Sequence, residues 1–473
     1  MTVPSSLNSH LIPEEDTICA PATAPGGALG IIRVSGPSAF SIVSSLCSIR
    51  CGTAAANTVH FTRIYTSPLS EGHGEVLDEA LVTLFHSPHS YTGEDSVEIS
   101  CHGSSYILQR VLDLLCQQGC RMARPGEFTQ RAYFNGKMDL SQAEAVADLI
   151  ASSNKATHDI AMSQLRGHFS SELARLRDQL LKLTSLLELE LDFSDHEDLE
   201  FADRTELLSL AQEIDSRVVH LARSFETGQA LKQGIPVAIV GNTNVGKSTL
   251  LNQLVGDDRA IVSDIHGTTR DTIEDTIDIR GITFRFIDTA GIRLTTDKVE
   301  QIGISRTYAA IDKARIVLWL IDKVPTQDEI TDITSRTVGS GPMSARSLIP
   351  VWNKADIIPP SPVCCGIIAA PIPISAKTGQ NLDTLKAAIY AAADIPAITS
   401  SDVIVTNARH YDALSRAHSH LQCVISGLKT QISGDLLSED LRQALDTLSE
   451  ITGGQITPQE TLNTIFKNFC VGK

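Results

Sequence analysis

The run Gly241-Asn242-Thr243-Asn244-Val245-Gly246-Lys247-Ser248 constrains this chain more than any other. It reads G-x-x-x-x-G-K-S and lies between an apolar strand candidate, residues 237–240, and the helical run T-L-L-N-Q-L at 249–254. Strand, glycine loop and helix in this order form a phosphate cradle. Backbone N–H groups of the loop and of the helix N-terminus point at phosphate oxygens, and the helix dipole favours their negative charge. In such a cradle Lys247 reaches the β- and γ-phosphates and the Ser248 hydroxyl holds Mg2+, with Asn244, Val245, Gly246 and Thr249 lining the same turn. A Gly-rich turn with an incidental lysine is the bland alternative, and the flanking strand and helix argue against it. The cradle also dictates architecture, because it belongs to parallel sheets with helical crossovers. Strand candidates at 237–240, 284–287, 316–321, 348–352 and 372–374 supply an alternating βα pattern across about 235–395.

Further runs in the same segment select the nucleotide. Asp288-Thr289-Ala290-Gly291 ends a buried strand, where a carboxylate can organise metal-bound water and a Gly amide can contact a γ-phosphate. Asn353-Lys354-Ala355-Asp356 resembles the N-K-x-D motif of GTPases, in which the Asp accepts from guanine N1 and N2 and the Lys packs over the base. Ser375-Ala376-Lys377 resembles the S-A-K element that contacts guanine O6. Adenine presents the opposite donor and acceptor pattern, so GTP is expected over ATP. The switch run Ser263-Asp264-Ile265-His266-Gly267-Thr268-Thr269-Arg270-Asp271 offers Thr269 as a second hydroxyl for Mg2+. Ile292 stands where Ras-like enzymes carry a water-positioning Gln, and a hydrophobic side chain cannot orient water, so hydrolysis must recruit another group. Asn244 is the residue type that potassium-activated GTPases use to hold K+ in place of an arginine finger; its alternative is a loop-stabilising amide.

The rest of the chain divides around this segment. At 473 residues, with about 150 per domain as a guide, three domains are expected. Residues 1–136 are β-rich, with strands read at 28–34, 79–85 and 96–101 and a helix at 106–117 whose apolar face is Ile107, Val111, Leu112 and Leu115. From Asp139 the period becomes helical, with Ser141-x-x-Glu144 read as a capping box. Helical patterning occupies 137–231 and returns in 393–473, so one all-α domain is split by an inserted α/β P-loop G domain at 232–392. The fold class is thus multidomain: an N-terminal α+β module, a helical domain and the inserted G domain. With 39 Lys+Arg against 56 Asp+Glu the net charge is −17, so any RNA contact must use a local basic patch or a partner. No run is long and apolar enough to span a membrane, the start lacks a signal-peptide pattern, and the ten cysteines are scattered without a CxxC pair, which together give a cytoplasmic expectation.

Five motifs outside the G domain complete the picture: G-I-I-R-V-S-G at 30–36, S-Y-T-G-E-D at 90–95, A-R-P-G-E-F at 123–128, K-M-D-L-S-Q-A-E-A-V-A-D-L-I at 137–150 and F-C-V-G-K at 469–473. With the G motifs, the chain resembles the MnmE (TrmE) family of tRNA modification GTPases over essentially its whole length. The resemblance implies an N-terminal module that binds a tetrahydrofolate (5-formyl or 5,10-methylene form) and mediates homodimerisation. It implies a flavoprotein partner, MnmG (GidA), which carries FAD, and tRNA as substrate. The reaction implied is addition of an aminomethyl or carboxymethylaminomethyl group to carbon 5 of the wobble uridine. Matching folate positions are Arg33, Glu98, Lys137 and Lys473; seen without the family, each would be read as a surface charge. A cation can pair the folate's glutamyl carboxylate and a carboxylate can accept from the amino-pterin edge. The resemblance further implies K+ held by Asn244, Ser263, Ile265 and Thr268, and Glu300 positioning the hydrolytic water in place of the missing Gln. Cys470 has two readings, a thiol acting in the C5 chemistry or a small apolar residue packed in the tail. Two rivals remain: a regulatory GTPase switch in ribosome assembly, and a folate-dependent one-carbon transferase that uses GTP for regulation alone.

Overall fold

The computed structural model describes residues 16–72, 74–192, 204–256, 275–287, 309–337, 346–359, 370–395 and 402–454, with 462, 465–467, 469 and 472 near the C-terminus. The chain forms two units, one comprising 1–151, 164–216 and 413–473, the other 152–163 and 217–412.

In the first unit a six-stranded sheet has the order β3-β4-β5-β2-β1-β6. The strands are β1 (Thr17–Pro21), β2 (Leu29–Ser35), β3 (Thr58–Tyr65), β4 (Val76–Phe85), β5 (Ser96–His102) and β6 (Cys120–Met122). All neighbours are antiparallel except β1 and β6. Alternation along β2, β4 and β5 sends Ile32, Val34, Val82, Leu84, Val97 and Ile99 to one face, where they are sealed by helices α1 (Ala39–Leu46) and α2 (Ser105–Gln117). The face of α2 is wider than its sequence suggests, because Leu108 and Leu114 are also buried while Ile107 is only half so. Strand β3 escaped notice because its apolar residues Val59 and Phe61 lie on the open face, 59% and 66% exposed, while Thr62 and Ile64 face the core.

Helices α3 (Glu127–Phe134), α4 (Leu140–Ala151), α5 (Lys155–Leu165), α6 (His168–Asp192) and α7 (Arg204–Gln233) follow, and Ala408–Lys429 and Gly434–Thr452 complete the helical part. The start of α4 corrects the expected capping box. Asp139, not Ser141, is the cap: the Gln142 N–H donates to Asp139 Oδ1 and the Asp139 N–H to Gln142 Oε1, both at 2.9 Å. This is a reciprocal box two residues earlier. Ser141 is buried, its hydroxyl spent on Asp139 Oδ1 and Ser170. On α6 the stripe Leu173, Leu176, Leu180, Leu183 and Leu187 is fully buried at helical spacing, and Gly434–Thr452 packs along this helix. No described helix is long and apolar enough to cross a membrane.

The second unit holds a sheet of order β12-β11-β10-β7-β9-β8. Its strands are β7 (Ile235–Gly241), β8 (Asp275–Ile279), β9 (Ile282–Phe286), β10 (Ile316–Ile321), β11 (Ser347–Trp352) and β12 (Ile372–Pro373). The sheet is parallel, as read, apart from β8, an antiparallel edge strand that the sequence reading lacked. Every residue of β10 is buried, as a central strand covered on both faces requires.

Candidate functional site

Helix α8 (Lys247–Gly256) starts directly at the end of the glycine loop, so its first turn and the loop follow the C-terminal end of β7. Two glycines are dictated by neighbours. A Cβ on Gly241 (φ +149) would stand 2.4 Å from the Leu320 carbonyl oxygen of β10, and one on Gly246 (φ +101) would stand 2.2 Å from Asn353 Nδ2. Asn244 adopts φ +60, a conformation that Asn tolerates better than most residues, and its side chain is exposed. Lys247 Nζ donates to the carbonyls of Gly241 and Asn242, both at 2.8 Å, and burial pushes its ammonium below the usual lysine range. Ser248 is half-buried and Thr249 exposed in the first turn of α8.

Asn353 joins the other motifs to this loop. It is 2% exposed; Nδ2 donates to the Val245 carbonyl at 2.7 Å and Oδ1 accepts from the Ala376 N–H at 2.9 Å. Both ends of the amide are consumed by backbone, so Asn353 ties the glycine loop to the S-A-K turn. Lys354, at φ +61, ion-pairs with Asp322 at 2.7 Å, and Asp356 stands exposed beyond it. The Ala355 N–H donates to Ile374 O, which holds the strand ends together. Ser375 and Ala376 are buried and Lys377 is exposed. The fold therefore brings Asn244 to Thr249, Asn353 to Asp356 and Ser375 to Lys377 to one end of one sheet. Ser263, Asp264, Ile265, His266, Gly267, Thr268, Thr269, Asp288, Thr289, Ala290, Gly291 and Glu300 lie outside the described residues, as do Cys470 and Lys473. Among the described residues no group of three or more His, Cys, Asp or Glu is placed to hold a metal ion.

The N-terminal positions meet on the sheet face opposite α1 and α2. Arg33 and Glu98 are cross-strand partners in register. Arg33 Nε and Nη2 donate to Glu98 Oε1 at 3.0 and 2.7 Å, while Nη1 reaches the Gly472 carbonyl at 3.3 Å. The guanidinium lies over the rings of Tyr91 and Phe128, 5.4 and 5.6 Å from their centroids. Because Arg33 and Glu98 touch, they address the same end of any ligand. Of the four folate positions read from the sequence, Arg33 and Glu98 are thus direct neighbours. Lys137 is exposed with Nζ on the Pro88 carbonyl at 2.9 Å, which leaves it the better placed cation for a carboxylate.

Two glycines bind the tail to this module. Gly126 (φ +69) packs so closely that a Cβ would meet Phe466 O at 2.7 Å, and Gly472 (φ +91) sits where a Cβ would be 2.2 Å from Pro21 O. Gly126 of the A-R-P-G-E-F run also lies where a Cβ would be 3.0 Å from the Cβ of Phe469, the first residue of the F-C-V-G-K run. Beneath it Arg131, 1% exposed, ion-pairs with Asp16, Glu94 and Glu127 while Arg121 pairs with Asp16 and Glu127. Burial alone would raise the Asp16 and Glu127 carboxyls, but hydrogen bonds and charge from the two arginines hold both below their ordinary values. Sequence reading missed Tyr91 and Phe128 as site residues, although both stand inside quoted motifs. Asp322 had no signal beyond its place after a strand.

A glycine loop ending a parallel strand, tied through one buried Asn to an S-A-K turn, defines a P-loop G domain of the GTPase class. Residues 17–137 match the GTP-binding protein TrmE N-terminus family and residues 140–470 the MnmE helical domain. The tRNA modification GTPase MnmE of Bacteroides thetaiotaomicron is 53% identical over 97% of this chain and 100% of its own. Those of Phocaeicola vulgatus and Porphyromonas gingivalis are 50% and 49% identical over 97% of this chain, covering 99% and 98% of theirs. The chain belongs to the MnmE/TrmE family.

Proposed function

We propose that this protein is a GTP hydrolase that acts in tRNA modification. The observation that carries the GTPase half is Asn353, which holds the phosphate loop and the guanine-side turn in fixed relation. Family membership, with relatives named tRNA modification GTPase, carries the other half. The finer reading is that it works with the flavoprotein MnmG (GidA), the bearer of FAD. Together they add an aminomethyl or carboxymethylaminomethyl group to carbon 5 of the wobble uridine, with the carbon drawn from a tetrahydrofolate. The division into an N-terminal folate and dimerisation module (1–136), a split helical domain (137–231 and 393–473) and a G domain (232–392) belongs to this reading, as does a cytoplasmic location.

In this scheme Lys247 and the loop amides bind the phosphates, and Ser248 and Thr269 hold Mg2+, which would neutralise phosphate charge. Asn244, Ser263, Ile265 and Thr268 hold K+, and Glu300 orients the attacking water. Asp356 reads the guanine edge beside Lys354, Ala355 and the Ser375-Ala376-Lys377 turn. The aromatic walls Tyr91 and Phe128 and the Arg33–Glu98 pair suit a planar, amino-bearing ring, and Lys137 and Lys473 suit its carboxylates. Homodimerisation is supported by the open sheet face, where Leu29, Val59, Phe61 and Leu81 are 67, 59, 66 and 47% exposed, a cluster that free monomers rarely leave bare.

The test has two arms. GTP turnover should rise when K+ replaces Na+ at constant ionic strength, and equal rates would remove the potassium site. Mass spectrometry of wobble uridines in tRNA from cells lacking this protein should show the C5 substituent missing. Intact substituents would favour a switch function alone.

A further inference from the structure

Helix α5 reads in the sequence as one more helix of the helical domain, yet 152–163 group with the nucleotide-binding unit while the residues on either side belong to the other. The cause is packing. Ile160 is buried in the core that also contains Ile277, Ile279, Ile282, Phe284 and Leu231. Polar contacts then fix the helix start on the β8–β9 hairpin. Asn154 Oδ1 caps α5 by accepting from the Thr157 N–H at 2.8 Å, and its Nδ2 donates to Thr283 Oγ1 of β9 at 2.8 Å. The Ala156 N–H donates to the Gly281 carbonyl at 3.1 Å. Gly281, at φ +81 in the hairpin turn, lies so close to α5 that a Cβ there would be 3.0 Å from Lys155 Cβ.

The hairpin's place in the chain gives these contacts meaning. Strand β8 follows the Ser263–Asp271 run, and β9 leads directly toward Asp288, so the hairpin links both stretches expected to respond to the γ-phosphate. Among the described strands, β8 is also the edge of the sheet, paired on one side alone. The hairpin cannot shift without either carrying the first turn of α5 or breaking the Ala156–Gly281 and Asn154–Thr283 bonds, since close-packed contacts move in discrete steps. The far ends of the excursion are anchored elsewhere: Ala151 closes α4, and the Leu165 carbonyl accepts from Gln142 Nε2 at 2.9 Å.

We propose that 152–163 is the transmission element by which the nucleotide state is communicated to the helical part of the chain, with Asn154 and Thr283 as its positioning residues. This rests on the GTPase reading. The test is amide hydrogen exchange on the full-length protein loaded with GDP or with a non-hydrolysable GTP analogue, using the Ala156 amide as reporter. In the native protein, exchange at Ala156 and across 275–287 should change together between the two states. Thr283→Val removes the acceptor but keeps the β-branched shape. Asn154→Ser keeps a capping oxygen but cannot reach β9. Each should raise Ala156 exchange by about 2- to 10-fold, the worth of one net hydrogen bond. Each should also lower tRNA modification while leaving basal GTP hydrolysis unchanged. Identical Ala156 exchange in both nucleotide states, while 275–287 differ, would overturn the inference. So would variants that lose hydrolysis and modification equally, which marks a structural role. Absence of GTP hydrolysis in the native protein would instead overturn the GTPase reading on which the inference stands.

Discussion

Replacing Gly472 by Ala tests whether the tail is part of the proposed folate site. Gly472 sits at φ +91, where an L side chain is strained, and its new Cβ would stand 2.2 Å from Pro21 O and 3.1 Å from Pro21 C. Strain of this kind costs roughly 1–3 kcal/mol even without the clash. The clash itself requires the tail to retreat by about 1 Å, which a close-packed contact does not absorb locally. Arg33 Nη1 reaches the Gly472 carbonyl at 3.3 Å, so that retreat breaks a charge-assisted bond and moves Lys473 with it. One such contact is worth about 1.5–3 kcal/mol, so affinity for 5-formyltetrahydrofolate should fall by roughly 10- to 150-fold. Calorimetric titration of the folate into native and variant protein measures this directly. Basal GTP hydrolysis should not change, because the phosphate loop lies in the other unit. Unchanged folate affinity, with the tail shown by hydrogen exchange to be displaced, would refute the reasoning and assign the tail to tRNA or to a partner protein.

Asn353→Ala should weaken GTP binding by on the order of 10²-fold, because it leaves the Val245 carbonyl and the Ala376 N–H without partners, at ~1–3 kcal/mol for each; fluorescent nucleotide titration reads the loss. Glu300→Ala should lower kcat by about 10²-fold or more with GTP affinity nearly unchanged, the pattern of a group used only in the transition state, while lost binding with normal hydrolysis would mark it as structural. The Asp16 and Glu127 carboxyls have folded values held below their unfolded ones, so their stabilisation is complete above their ordinary values and disappears as pH falls through the lowered ones. Urea midpoints of the N-terminal unit should therefore hold steady above about pH 5 and drop below about pH 4. Arg131→Met should destabilise the same unit by about 3–5 kcal/mol, since it removes a partner from the buried Glu127 and from the half-buried Asp16 and Glu94; a loss under 1 kcal/mol would mean that Arg121 carries the network alone.

The phosphate loop, N-K-A-D and S-A-K were legible because each is a contiguous run whose function depends on its own backbone and a strand before it. The tail motif was legible as a pattern, and Lys473 matched to a folate position implied that the C-terminus returns to the N-terminal module. Other readings depended on pairings that no local run encodes. Asn353 was read only as part of the N-K-A-D run, yet its amide lies between Val245 and Ala376, residues more than a hundred positions apart. Arg33 and Glu98 stood as two separate folate positions in the sequence, and only strand register set them side by side. The cap of α4 moved from Ser141 to Asp139 because the burial of Ser141 made its hydroxyl unavailable to the helix end. Helix α5 has ordinary helical periodicity, and that period says only that one face will be buried. From the sequence alone this stretch reads as part of a long helical pattern with an apolar Ile160. Only the tertiary structure decided that Ile160 enters the core of the nucleotide-binding unit, because burial there depends on Ile277, Phe284 and Leu231, which approach it from three other elements of the fold.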